Sequence, residues 1–330
     1  MFQKGISYIF VLAILITGAY SFKDKGEDFT QTPSPGLHPC YILPGEYPKK
    51  ILYNNVKETK VTRGGTSWRR IKTNSIPNHV IGNFPNPGYN PNSIKEINET
   101  YFVLYDPVKT GVVTELLDPV KGPQYEFGIA VNGIVFDPIA AEPWGKGRPG
   151  PDNYAYNLEA INCSYRLGLD CNFGHVQPNG QYHYHGVPTN LVDSLIKAKD
   201  GEMILLGYAA DGAPVYYLYS AYFVYREDTS YVKKMGSPRI HLKMMNSGYK
   251  LRSGSRPGDG VSAPAGSYDG TYSSDYEYSS KLSDLDECNG IYGWTPEFGN
   301  IYYYVITEDF PVIPRCLKGT PSDDFKIGPP

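Results

Sequence analysis

The sequence predicts a mainly β protein: a β-sandwich or barrel-like domain of many short strands with one or two short helices. Three observations predict it. Apolar runs are short, turn residues drawn from 35 glycines and 28 prolines separate them, and 30 tyrosines suit the half-buried faces of sheets. Stretches with helical periodicity are few.

The elements follow in order along the 330-residue chain. Residues 1–21 supply Lys4, an apolar run from Ile6 to Ile16, and small residues at Ala19 and Ser21, the pattern of a secretory signal peptide. That run is shorter than the roughly 20 residues a membrane-spanning helix needs. No later segment could span a bilayer, so no membrane span is expected after cleavage. Residues 22–37 are charged and turn-rich, too poor in apolar surface to order themselves, and read as a flexible lead-in. One domain is expected over residues 38–317, because neither a repeat nor a glycine-serine linker divides it. Within it Phe127 to Phe136 gives the clearest strand signal, with Asn132-Gly133 placed as a type I′ hairpin turn requires. Aromatic and branched residues mark further strands at Tyr101–Tyr105, Met203–Ala209, Val215–Tyr225 and Ile301–Ile306. Asn190 to Lys199 reads as a helix capped by Asn190, with Leu191, Leu195 and Ile196 as its apolar stripe. Residues 318–330 read as a loose tail.

A net charge of -3 and the absence of a visible basic patch give no electrostatic footprint for nucleic acid or anionic lipid. All five cysteines lie beyond the leader, and a secreted destination, extracellular or periplasmic in a bacterium, makes disulfides their default use. Pairing of neighbours would join Cys163 to Cys171 and Cys288 to Cys316. Cys40 would then be free, or available to another chain, although connectivity is not fixed by sequence. Asn98 and Asn162 begin triplets that accept N-glycans in a eukaryote.

The chemistry concentrates in Gly174 to Gly186, GHVQPNGQYHYHG, which holds three of the six histidines. In a strand successive side chains alternate faces, so His183 and His185 project together while Tyr182 and Tyr184 project the other way. The Pro178-Asn179-Gly180 turn could fold His175 back beside that pair. Neutral imidazoles so placed suit zinc or copper, and three with an open fourth position suit a catalytic centre. His79, after a turn-forming Pro-Asn pair, is the candidate for a further ligand; His38 and His241 are set aside. Asp137, Glu142, Asp170 and Asp211 are carboxylates that could tune such a site, and Asp211 or Glu142 is the first guess for handling a proton. The acidic DLDECNG stretch from Asp284 to Gly290 fails as a calcium loop, because Asn289 stands where the sharp-turn glycine belongs. No nucleophile elbow, H-E-x-x-H, phosphate loop or dinucleotide fingerprint is present.

The segments IPNHVIGNFPNPG (from Ile76), FGIAVNGIVFDPIAAEPW (from Phe127), GLDCNFGHVQPNGQYHYHG (from Gly168), GYAADGAPVY (from Gly207), YKLRSGSRP (from Tyr249) and SDLDECNGIYGWTPEFG (from Ser283) resemble the YHYH-domain family of secreted or periplasmic proteins. The resemblance implies that His79, His175, His183 and His185 belong to the family pattern. It carries no accepted reaction, so whether the chain is an enzyme stays open. The functional expectation is a secreted protein holding one transition metal through these histidines. The competing expectation is a structural extracellular-matrix or surface protein, with matrix partners, whose tyrosine-rich faces and segment Tyr268 to Tyr278 serve packing, adhesion or cross-linking.

Overall fold

Alternating branched and aromatic residues from four hairpins of the chain meet in one open eight-stranded sheet. The computed structural model describes residues 37–38, 40, 52–86, 88–147, 152–198, 203–217, 219–223 and 240–327. All of these belong to one compact unit, Ser34–Pro330. The leader expected over residues 1–21 and nearly all of the expected lead-in lie outside the described residues.

A three-stranded antiparallel sheet comes first: β1 (Val56–Arg63), β2 (Thr66–Thr73) and β3 (Glu99–Leu104). The large sheet uses β4 (Gly128–Ala130), β5 (Val135–Phe136), β6 (Gly174–Val176), β7 (Tyr182–Tyr184), β8 (Ile204–Ala209), β9 (Pro214–Tyr217), β10 (Gly290–Thr295) and β11 (Gly299–Ile306). Their spatial order is β6-β7-β5-β4-β8-β9-β11-β10. The β7–β5 and β9–β11 pairs are parallel and the others antiparallel. Ile71, Tyr101 and Val103 of the small sheet join Phe127, Ile129, Tyr184 and Tyr304 of the large one in a single core. The architecture is therefore the layered, mainly β one expected, and neither sheet closes into a barrel.

The local details differ from expectation at several points. The hairpin between β4 and β5 turns at Ala130 to Gly133, where the Gly133 amide donates to the Ala130 carbonyl. Gly133 takes the left-handed conformation alone, with Asn132 outside it, so the turn is not type I′. The run Val215–Tyr225 divides: β9 stays in the large sheet, and Tyr219–Phe223 pairs with Ile240–Met244 instead. The helix spans Thr189–Ala198, and its start is capped from elsewhere, by the Asn172 side-chain oxygen, which accepts from the Asn190 amide at 3.0 Å. Asn190 spends its own side chain on the Val80 carbonyl. Leu191 and Val192 are buried and Leu195 packs against the core while Ile196 is exposed, so Val192 takes the place expected of Ile196 in the stripe.

The expected loose tail closes onto the domain over its described part. The Lys318 amide donates to the Tyr304 hydroxyl, the Gly319 amide to Asp211, and Phe325 is buried in the core. Tyrosines do packing work here: Tyr182, Tyr184, Tyr216, Tyr303 and Tyr304 are fully covered. In the tyrosine-rich segment Tyr272 is buried, and Tyr276 stacks on Phe310 with ring centroids 3.9 Å apart.

The disulfides are Cys40–Cys171 and Cys288–Cys316, both within the chain. This corrects the expected Cys163–Cys171 bridge and the intermolecular role for Cys40. Cys163 is a buried free thiol, its pKa raised by burial to about 11. The misassignment came from spacing, which ignores that His38 pairs with Asp170 and its amide donates to the Leu169 carbonyl, bringing Cys40 to Cys171. Of the two glycan triplets, Asn98 is exposed. The Asn162 side-chain nitrogen is engaged by the Gly270 carbonyl and the Tyr276 hydroxyl.

Candidate metal centre

The histidine hairpin is built as alternation requires. β6 and β7 pair antiparallel with His175 directly opposite His183, and Gln177 to Gly180 closes the turn, the Gly180 amide donating to the Gln177 carbonyl. Gly180 has a φ of 103°, which only glycine adopts cheaply. Tyr182 points away from the histidines, and its hydroxyl donates to the Asp170 carboxylate, 2.9 and 3.0 Å from its two oxygens. Gly174 makes this reach feasible, since a Cβ there would lie 2.3 Å from the Tyr182 hydroxyl.

Asp170 is the knot of the loop that leads into β6. It also accepts from the backbone amides of Gly82, Asn172 and Gly174. Burial pushes its carboxyl up, and these bonds work against that shift. Phe173, inside the loop, takes a left-handed φ of 52° while its carbonyl accepts from the His185 amide. The backbone that positions His185 is thus held in a conformation most side chains avoid.

On the other side of the strands three imidazoles converge. His183 Nε2 lies 3.0 Å from His185 Nε2, which lies 3.1 Å from His175 Nε2. The rings stand steeply to one another at 67°, 71° and 79°, like the blades of a propeller. Nitrogens bound at 2.0–2.1 Å in a tetrahedral set are separated by about 3.3 Å, close to these contacts. Among the described residues this is the one group of three or more histidine, cysteine or acidic side chains with ligand atoms so near together.

The outer nitrogen of His175 fixes its tautomer. His175 Nδ1 donates to the Leu167 carbonyl at 2.7 Å, leaving its Nε2 with a lone pair toward the others. The carbonyls of Gln181 and Pro138 act on His183 and His185 in the same sense, but the Nδ1 atoms of these two rings stop short of hydrogen-bond geometry.

Burial lowers the pKa of all three, and most strongly for His183 and His185, both 2% exposed. Repulsion from neighbouring imidazoles adds to this for His183 and His185, and the Arg315 charge acts on His185 as well. The trio is therefore neutral at physiological pH, the state a metal ligand requires.

His79 does not join them. Its Nδ1 donates to the Val80 carbonyl, so its Nε2 accepts from the Tyr184 hydroxyl at 2.5 Å, on the tyrosine side of β7, and that hydroxyl in turn accepts from Asn132 Nδ2. The carboxylates also separate. Asp211 is buried and structural, receiving the Tyr304 hydroxyl and the amides of Gly319 and Ala213. Asp137, fully enclosed, is pushed up by burial to about 7. Glu142 is partly exposed, pairs with Lys146 at 3.5 Å, and is near enough to favour the charged form of His175.

A family model described as YHYH protein matches residues 105–319, more than half of the chain. The chain belongs to the YHYH family. The YHYH match takes in His175, His183 and His185 and leaves His79 outside. No curated protein and no solved structure matches the chain. The YHYH tetrapeptide itself, Tyr182 to His185, divides its work by face: tyrosines to the core and the Asp170 loop, histidines to the cluster. Sequence reading missed Leu167, Arg315 and Asn90, whose side-chain nitrogen lies 3.4 Å from His175 Nδ1. Their contributions come through a backbone carbonyl or through side chains distant in sequence, and no local motif marks them.

Proposed function

We propose that this YHYH protein is a secreted metal-binding protein that holds one transition metal, copper or zinc, through Nε2 of His175, His183 and His185. The observation that carries the reading is the convergence of three neutral imidazoles, two of them buried, on contacts of 3.0 and 3.1 Å. A buried cluster of this kind has no packing advantage over apolar side chains, which leave no ring nitrogen without a partner. A bound cation removes that cost by taking the three lone pairs. His79 is omitted from the ligand set, so a fourth position is left to solvent or to a small molecule, the arrangement of sites that activate water or oxygen. Glu142 is the carboxylate best placed to act electrostatically beside it. Secretion is supported by the expected leader and by two intramolecular disulfides, which suit an oxidising compartment. Among the described residues no helix is long and apolar enough to cross a membrane.

Elemental analysis of untagged secreted protein tests the reading. About one equivalent of copper or zinc per chain is expected, falling below about one-tenth in His183→Ala/His185→Ala. Wild-type protein that stays metal-free when both ions are offered would overturn it.

A further inference from the structure

A charge of -3 over the whole chain conceals a local excess of the opposite sign. In the register of β1, Lys57 stands opposite Lys72 and Thr59 opposite Arg70, with Val61 facing Trp68. Phe102 of β3 stands beside Arg70. All these residues share one face of the small sheet; the other face carries Ile71, Tyr101 and Val103 into the core. The outer face thus presents Lys57, Arg63, Arg70 and Lys72, and none of its strand positions is acidic. Six residues separate Lys57 from Arg63, so the charge extends over about 20 Å. This overturns the expectation of no basic patch: hairpin pairing gathers cations that are scattered in the sequence.

Two features mark the face as more than ordinary solvated surface. Lys57 and Lys72 are like charges directly opposite each other, an arrangement that weakens a sheet. None of the four cations has an ion-pair partner among the described residues. Two are also held in place. Arg70 Nε donates to Thr59 Oγ1 at 3.1 Å, and the Arg63 guanidinium lies 4.2 Å from the centre of the Phe102 ring. An extended polyanion laid along the strands would relieve the Lys57–Lys72 repulsion and find two guanidinium groups already positioned.

We propose that this face of β1–β3 binds a sulfated polysaccharide. The disulfides Cys40–Cys171 and Cys288–Cys316 decide between polyanions, because they suit an oxidising compartment, where sulfated glycans rather than nucleic acids are the prevalent partners of basic surfaces. The inference does not depend on the metal centre, and metal-free protein serves equally well in its test.

The full chain is passed over immobilised heparin, over desulfated heparin, and over double-stranded DNA at matched charge density. Binding to heparin is expected, falling about tenfold or more between roughly 0.05 and 0.2 M salt, with little retention on the desulfated support. The variant Lys57→Gln/Arg70→Gln/Lys72→Gln should lose at least about tenfold in affinity. A control with the same charge change elsewhere, Lys250→Gln/Lys281→Gln/Lys326→Gln, should change by less than about twofold. Circular dichroism and the thermal midpoint establish that both variants fold. Absence of heparin binding, equal losses in the two variants, or DNA bound as tightly as heparin would each overturn the proposal.

Discussion

His175 stands directly across the strand pair from His183, and this register turns a two-histidine motif into a three-nitrogen site. Spacing along one strand supplies His183 and His185. Only the pairing of β6 with β7 adds the third ring, and only the Leu167 carbonyl turns its Nε2 inward. The hairpin is therefore the unit that assembles the cluster, and the tetrapeptide is one arm of it.

The placement of His79 separates it experimentally from the trio. In His79→Ala, metal content measured by elemental analysis is expected to match wild type, because the ring's partner is the Tyr184 hydroxyl. Stability should fall by about 1 kcal/mol in urea titration, the cost of one lost partially buried hydrogen bond. Loss of metal without loss of stability would show that His79 is a ligand.

Tyr182→Phe removes one donor from the buried Asp170 carboxylate and leaves the amides of Gly82, Asn172 and Gly174 to hold it. A destabilisation of about 1–3 kcal/mol is expected, measured on metal-free protein by chemical denaturation. The same variant should bind metal more weakly, since Asp170 shapes the loop entering β6. An unchanged denaturation midpoint would mean that the carboxylate does not need this donor.

Thiol chemistry tests the cysteine assignment. Native wild-type protein should react negligibly with a thiol reagent, and denaturation should expose the single free Cys163. Peptide mapping without reduction should recover Cys40 joined to Cys171 and Cys288 joined to Cys316. A peptide joining Cys163 to Cys171 would contradict the fold around the lead into β6.

These assignments show what the sequence could and could not convey. Alternation along Tyr182 to His185 made the two faces legible, because strand geometry fixes them whatever the surroundings. The turn at Pro178 to Gly180 made the return of His175 legible for the same local reason. The separation of His79 from the trio was not legible, because the tyrosine face also needs a polar partner and a histidine near a turn meets that need through the Tyr184 hydroxyl. Cys40 was misread because its partner lies 131 residues away and nothing local records that contact. The basic face was invisible for a related reason: Lys57 and Lys72 become neighbours only through the register of β1 with β2.

The pH dependence of Asp137 has a definite sign. Its carboxyl titrates near 7 in the folded protein because burial disfavours the charge, against 3.8 ordinarily. The folded state then binds more protons than the unfolded state between these values, so this group's contribution to stability falls as pH rises through that window and levels off above about 7. Asp137→Asn removes the penalty. The variant's advantage over wild type, measured metal-free by denaturant titration, should be near zero at about pH 3 and grow to at most about 4 kcal/mol at about pH 8. An advantage independent of pH would assign the effect to packing.

The Cys40–Cys171 bridge has a consequence for the order of events in the life of the chain. Cys171 follows Asp170 directly, so the residue that organises the approach to the histidine hairpin is tethered covalently to Cys40, 131 residues earlier in the chain. In a reducing environment that tether cannot persist. If the chain is exported as proposed above, all three imidazoles are made before the anchored loop that sets them, and the cluster takes its form only on export. Under that proposal, any ion bound would be one offered by the compartment of destination, and the cytosolic pools passed first would have little claim on it.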